Sequence, residues 1–349
     1  MDEFARLPAA DRRAFIEESA AKRDLTPIII EKDFWVCWTL RRLTKATELA
    51  GHLTFKGGTS LSKAYGIIAR FSEDIDLTIS RQAPHLEKVP SPMEGDISGK
   101  ERGRRTDALK AAAQAYVSDT ILPVLTGEVE AALGTKEGWK LILDPDDKDG
   151  QTLLFAYPRT TGYGLNYGQD YGGADDSGYV KPRIKLEFGA RGDTEPSSLQ
   201  AIAPYLADDF PEALPDPITK FETLAVERTF WEKVTILHAL HHNGKLRPGL
   251  SRHYYDVLML DIAGVTDAAL ADPELLAQVV HNKSLMFADR SASYETAVLG
   301  SLRLLPNEGD MPRLSEDYAA MAEMFMAPTP AFDKLISGLS EIEAKLNAA

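Results

Sequence analysis

Between Leu53 and Ile79 the chain reads as a strand, a Gly-Gly turn, one helix and a second strand that opens on two acids. Leu53-Thr54-Phe55 is the first strand and Gly57-Gly58 the turn. Thr59 is placed to cap a helix whose Leu61, Ala64, Tyr65 and Ile68 recur at i, i+3, i+4 and i+7, one sheet-facing stripe. Ile75 to Ile79 then alternates as a half-buried strand does. Successive strand side chains point to opposite faces, so Asp74 and Asp76 project from the same one. Two carboxylates held that close repel each other and are tolerated when exposed or bridged by a cation. Hard oxygen ligands of this kind suit Mg²⁺ or Mn²⁺. Ahead of them, the turn feeding a helix offers unpaired backbone N–H groups and the positive end of the helix dipole, a seat for phosphate. Each part alone is common. Their order points to an α+β fold with a mixed sheet carrying the acids at one edge.

The rest of the chain is organised around this unit. The first fifty residues read as helical: Asp11 to Asp24, then a helix entered at Thr26-Pro27 and running from Ile28 to about Leu43. Pro84 to Lys100 reads as a loop or insertion, and Thr106 to Leu133 as mostly helical with Pro123 a kink or break. Strands are expected over Trp139 to Leu143, Thr152 to Tyr157 and Val180 to Phe188, with a loop crowded by Gly, Asp and Tyr from Thr160 to Gly178. After Pro196 the pattern reads as helical to the end, and Asp209 to Pro217 marks a boundary. Three regions follow: N-terminal helices over 1–50, an α/β core over 51–208, and a helical domain over 209–349.

Three further residues carry chemistry. In Arg183-Ile184-Lys185-Leu186-Glu187-Phe188 the apolar residues share one face, and Lys185 and Glu187 the other. Glu187 completes a metal site if this strand neighbours the first, and is otherwise an exposed strand acid. Over Glu222 to His242, Val226, Phe230, Val234, Leu237 and Leu240 form an apolar stripe, with Lys233 within about 20° of it at 100° per residue. A lysine there snorkels out, pairs with a core carboxylate, or points its ammonium at an internal anion. Asp256 sits in the largely apolar Tyr254-Tyr255-Asp256-Val257-Leu258-Met259-Leu260, where Arg252 is an i, i+4 partner.

Composition limits the partners. Lys and Arg number 39 against 53 Asp and Glu, a net charge of −14, so bulk nucleic acid and anionic membrane are repelled unless basic residues cluster. One cluster exists, Lys100, Arg102, Arg104, Arg105 and Lys110, readable as an RNA-binding patch or as a solvated helix start. Arg41, Arg42 and Lys45 form a smaller one. The single cysteine, Cys37 between two tryptophans, excludes an internal disulfide and a Cys-based zinc site and reads as a buried spectator. The start, Met1-Asp2-Glu3-Phe4, lacks the charge and apolar run of a signal peptide, and no stretch has the apolar length of a membrane span. A cytoplasmic protein is expected.

Taken in order, Gly57-Gly58-Thr59-Ser60-Leu61-Ser62-Lys63-Ala64-Tyr65, Arg70-Phe71-Ser72-Glu73-Asp74-Ile75-Asp76-Leu77, Glu187, Arg228-Thr229-Phe230-Trp231-Glu232-Lys233 and Arg252-His253-Tyr254-Tyr255-Asp256 resemble the four motifs of the AbiEii/AbiGii (MenT-like) abortive-infection toxins. That family belongs to the polymerase-β-like nucleotidyltransferase superfamily. The dense matches cover about a fifth of the chain, but their order and spacing span residues 56 to 256. The resemblance implies a nucleotidyltransferase core over 51–208. It implies Asp74, Asp76 and Glu187 as ligands of catalytic Mg²⁺ (or Mn²⁺), and Gly57, Gly58, Thr59, Ser60, Lys63, Arg228 and Lys233 around an NTP. Asp256 would be an essential acid of the last motif. It also implies a cognate antitoxin from a neighbouring gene and, from relatives that modify the 3′ end of tRNA, a tRNA acceptor. Two other readings stand beside this: nucleotidylation or phosphorylation of a protein, the chain itself included, and a catalytically idle interaction module.

Overall fold

Most of the apolar periodicity becomes structure where it is expected. The computed structural model describes residues 1–72, 74–160 and 182–349; beyond Thr160, the Gly- and Tyr-rich loop expected to Gly178 lies outside them. In chain order come α1 (Asp2–Arg6), α2 (Ala9–Arg23), α3 (Pro27–Lys45), β1 (Leu53–Lys56), α4 (Gly57–Lys63), β2 (Asp74–Ile79), α5 (Gly99–Tyr116) and α6 (Leu122–Leu133). Then follow β3 (Lys140–Leu143), β4 (Thr152–Ala156), β5 (Ile184–Gly189), β6 (Ser197–Ile202), α7 (Tyr205–Asp209) and β7 (Thr219–Leu224). The remainder is α8 (Val226–Asn243), α9 (Ser251–Ile262), α10 (Val265–Leu270), α11 (Pro273–Met286), α12 (Met311–Ala320) and α13 (Phe332–Ala348). Among the described residues no helix is long and apolar enough to cross a membrane.

The strands form one mixed sheet in the order β3-β4-β5-β2-β1-β7-β6, with β2 parallel to β5 and antiparallel to β1. Alternation gives it two unlike faces. Phe55, Ile75, Leu77, Ile184, Leu186, Phe188 and Phe221 enter one core with α2, α3, α5 and α6. Helix α3 is buried along almost its whole length, and its buried charges Asp33, Arg41 and Arg42 are paired, with Lys63, Asp216 and Asp2 in turn. Its Trp35 stacks on Tyr157 and its Trp38 on Phe155. Cys37 is fully buried beside them, and burial pushes its thiol pKa up, which makes it chemically inert. The opposite face carries Lys56, Asp74, Asp76, Thr78, Lys185 and Glu187. Leu61 and Ile68 join a second core built by α8 to α13.

Three expectations are corrected. The chain after Pro196 is not helical throughout: β6 and β7 pair antiparallel, and β7, beyond residue 209, is a strand of the sheet next to β1. The alternation Thr219, Phe221, Thr223 inward against Lys220 and Glu222 signals it, and the stronger helical stripe that follows obscures it. Pro123 does not break the helix; α5 and α6 are joined by a π turn, Val117–Ile121, whose wider backbone accommodates the missing N–H and the ring. Thr59 does not cap α4. The helix starts at Gly57, and the Thr59 hydroxyl donates to the carbonyls of Ser72 and Asp74 instead.

The second core holds a neutral histidine. His238 is fully buried on α8. Its Nδ1 accepts the Arg303 N–H at 3.1 Å, which assigns the ring proton to Nε2, donated to the Ser293 carbonyl at 3.1 Å. Burial, with His242 and His241 nearby, lowers its pKa to about 4. The unfolded chain therefore binds this proton near pH 6.5 and the folded chain only near 4. The neutral ring is compatible with the fold above the unfolded pKa, and stability is lost as pH falls through that window. Urea denaturation at pH 6.5 and pH 4 should show wild type losing about 3 kcal/mol more than His238→Gln; equal losses would refute the assignment.

Candidate active site

The parallel register of β2 and β5 sets Asp74 opposite Lys185 and Asp76 opposite Glu187, and the antiparallel register with β1 sets Lys56 opposite Asp76. The acids therefore do share one face and adjoin across two strands. Partial burial and the Glu187 carboxylate push the pKa of Asp76 up, against the pull of Lys56, Arg252 and Lys233. The Glu187 carboxylate is ion-paired with Lys185 on its own strand. Among the described residues no three His, Cys, Asp or Glu side chains stand together as a formed metal site. The donor set nevertheless fits Mg²⁺ or Mn²⁺: hard carboxylate oxygens on neighbouring strands, with a mutual repulsion that a cation would relieve.

Helix α4 presses its first residues against these acids. Gly57 has φ +80°, and a Cβ there would stand 2.0 Å from Asp76 Oδ2. At Gly58 a Cβ would stand 2.7 Å from both Arg70 Nη2 and Ser72 Oγ. Only glycine lets the backbone approach so closely. Ser60 Oγ donates to the Gly57 carbonyl at 2.9 Å. With the hydroxyls of Thr59 and Ser60 both turned to backbone carbonyls, what this turn offers a phosphate is its backbone N–H groups.

The two anomalies of the helical half meet each other. Lys233 Nζ lies 2.8 Å from Asp256 Oδ2, and Arg70 grips the same carboxylate with both arms, Nε to Oδ1 at 2.7 Å and Nη2 to Oδ2 at 2.8 Å. The partner of Asp256 is therefore not Arg252, its i, i+4 neighbour, but an arginine 186 residues away in sequence. Asp256 is fully buried, Arg70 2% exposed and Lys233 6%. Burial would raise the Asp256 pKa, but the guanidinium and the ammonium outweigh it and hold the carboxyl far below its usual range. Lys233 reaches the sheet acids as well, since its charge acts on Asp76.

Beside this triad, the start of α8 clamps the loop after β5. Arg228 Nη2 binds Asp193 Oδ2 at 2.6 Å and Nη1 donates to the Glu195 carbonyl at 2.7 Å. Lys63, expected near the nucleotide, is instead held by Asp33 of α3 at 2.6 Å with its ammonium 3.7 Å from the Tyr205 ring centre, a buried tie between α4 and α3. In the basic cluster, Arg104 and Arg105 are paired with Glu101, Arg105 also with Glu94, and Arg102 donates to the Pro92 carbonyl. Lys100 is exposed, so four cations at this helix start face two carboxylates, Glu94 and Glu101. Arg41 and Arg42 are likewise paired, with Asp216 and Asp2. Sequence reasoning assigned no role to Lys56, Arg70 or Lys283. Strand alternation places Lys56 on the acid face; no local signal marks the other two.

Removing one partner of a buried ion cluster leaves the others uncompensated. Asp256→Asn should lower stability by about 3 kcal/mol or more, measured by urea denaturation. A loss below about 1 kcal/mol, as for an exposed pair, would refute the burial argument.

The comparisons with known proteins come to the same place. In fold the chain is similar to MenT4, nucleotidyltransferase toxin Rv2826c from Mycobacterium tuberculosis H37Rv. The TM-score is 0.50 and the identity 16%, covering 97% of this chain and 90% of that one, so the likeness is one of fold. No curated protein matches the sequence. The family model of the nucleotidyl transferase AbiEii toxin of type IV toxin–antitoxin systems matches residues 38–338, and the chain belongs to that AbiEii family.

Proposed function

We propose that this toxin transfers a nucleoside monophosphate from an NTP to an acceptor hydroxyl, with the 3′ end of tRNA as acceptor and Mg²⁺ or Mn²⁺ as cofactor. One observation carries the reading: Asp76 and Glu187, carboxylates suited to a hard cation, stand side by side on the central strands of the sheet rather than at its expected edge, with Lys56 opposite Asp76 and the charge of Lys233 acting on it. Asp74, Asp76 and Glu187 would hold the metal, which when bound supplies Lewis-acid polarisation of the α-phosphate. Lys185, now on Glu187, would have to release it.

The chain's own residues supply position and charge. In the reaction the acceptor hydroxyl gives up its proton to solvent and its oxygen bonds to the α-phosphorus, while the bond from the α-phosphorus to the α,β-bridging oxygen breaks and pyrophosphate leaves with the electron pair. Phosphoryl transfer of this kind needs little covalent participation from the protein. Backbone N–H groups at Gly58 and Thr59 would orient the triphosphate, with Ser60 holding the turn that presents them, and Lys233 would offset its charge. Asp256, enclosed by Arg70 and Lys233, acts through the lysine it holds and is a positioning residue. Arg228 would shape the site by holding the loop after β5. The tRNA acceptor is taken from the family resemblance; on a chain of net charge −14 it has to be gripped locally. The family also implies a cognate antitoxin as partner.

Purified protein incubated with labelled NTPs, total tRNA and Mg²⁺ should label the tRNA, and Asp74→Ala should reduce labelling by about 100-fold or more. Equal labelling by the variant would sink the proposal. Label on the protein itself, seen as an intact-mass increase, would move the acceptor from RNA to protein, and growth arrest on induction confined to the wild type would tie the chemistry to toxicity.

A further inference from the structure

Helix α11 brings a fourth cation to the site from a segment outside every motif. Lys283 Nζ donates to the Glu232 carbonyl at 2.6 Å, one residue before Lys233. Its neighbour Asn282 pins the same helix end to the loop after β5, donating to the Arg191 carbonyl at 3.2 Å and to Asp193 Oδ1 at 3.3 Å. The other oxygen of Asp193 holds Arg228. Within that loop, Gly192 lies against Lys56, where a Cβ would stand 3.1 Å from Nζ.

The charges acting most strongly on the Lys283 ammonium are one carboxylate, Glu232, and three cations, Lys56, Lys233 and Arg228. Glu232 is shared with Arg228, whose Nε lies 3.7 Å from it, and Lys233 has Asp256. Among the described residues Lys283 has no carboxylate within ion-pairing distance. Burial and the surrounding cations push its pKa down to about 7. Through the loop after β5, the end of α11 is joined to Gly192 and so to Lys56, which stands opposite Asp76 on the sheet. Lys283, a cation with no carboxylate within pairing distance among the described residues, is the group here that a small, multiply charged anion would stabilise.

We propose that Lys283 binds the β- and γ-phosphates of the NTP and stays on pyrophosphate as it departs. This rests on the nucleotidyl-transfer reading above. As the bond between the α-phosphorus and the bridging oxygen breaks, the electron pair goes to pyrophosphate, and Lys283, remaining protonated, offsets the added charge together with Lys56. No proton leaves the lysine. A monophosphate, lacking the β- and γ-groups, does not reach it.

The test uses the full chain, with Lys283→Met retaining the apolar stem and Lys283→Arg retaining the charge. Calorimetry with inorganic pyrophosphate and Mg²⁺ should show binding to wild type weakened about tenfold or more by Lys283→Met and partly restored in Lys283→Arg. Inhibition of transfer by the nucleoside monophosphate should be unchanged, and the KM for NTP should rise by the same factor as the pyrophosphate Kd. Unchanged pyrophosphate affinity in a folded Lys283→Met overturns the proposal. So does equal weakening of monophosphate and pyrophosphate, or a rise in KM for tRNA alone. Pyrophosphate binding that depends on Lys283 in a protein that transfers nothing would keep the phosphate site and reject the transfer reading.

Discussion

Asp256 has no water to solvate it, and its charge persists inside the protein because Arg70 and Lys233 close on it from two sides. Arg70 comes from the segment leading into β2, Lys233 from α8 and Asp256 from α9, so three separate stretches of chain meet at one carboxylate. A buried cluster of this kind is a poor source of net stability, because desolvation offsets most of the Coulomb attraction. Its value is in geometry. The three contacts tie α8 and α9 to the segment that leads into β2, a central strand of the sheet. Gly58 belongs to the same arrangement, since the Arg70 guanidinium occupies the space a side chain there would fill.

The acids depend on this docking in turn. Strand alternation puts Asp74, Asp76 and Glu187 on the face away from the large aromatic core. Were that face open to water, the acids would be an ordinary solvated edge. The helices that cover it bring cations, Lys233 and Lys283 from α8 and α11, while Lys56 stands beside them on β1. Charges of both signs then crowd one partly buried space, and such crowding is the mark of a candidate functional site.

How much of this was legible follows from how local each signal is. The two strands, the shared face of the acids, helices α2 and α3, and the apolar stripe of α8 are properties of neighbouring residues, and they hold in the structure. The helix between the strands starts at Gly57 and ends at Lys63, short of Ala64, Tyr65 and Ile68, and Leu61 and Ile68 enter the second core rather than facing the sheet. Strands β6 and β7 were missed because a six-residue alternation, Thr219 to Leu224, runs straight into a longer and stronger helical period. Lys233 and Asp256 were visible as charges in apolar helices, but each had a local partner or several distant ones to choose from. The lysine at 63 looks identical in sequence terms to a phosphate ligand, and a distant aspartate, Asp33, holds it instead. At the start of α5, only the folded chain shows that Glu94 and Glu101 pair with Arg104 and Arg105 of the basic cluster.

By itself the sequence determined the elements, the face on which the acids lie, and the glycines that allow α4 to crowd them, because periodicity and backbone sterics act over a few residues. Only the tertiary structure decided which charges meet. Coulomb energy and desolvation depend on distance and burial, and residues such as Arg70 and Asp256, 186 apart in sequence, acquire both only when the chain is folded. The choice of Lys233 over Lys63 as the lysine beside the acids, and the arrival of Lys283, are consequences of packing that no local pattern encodes.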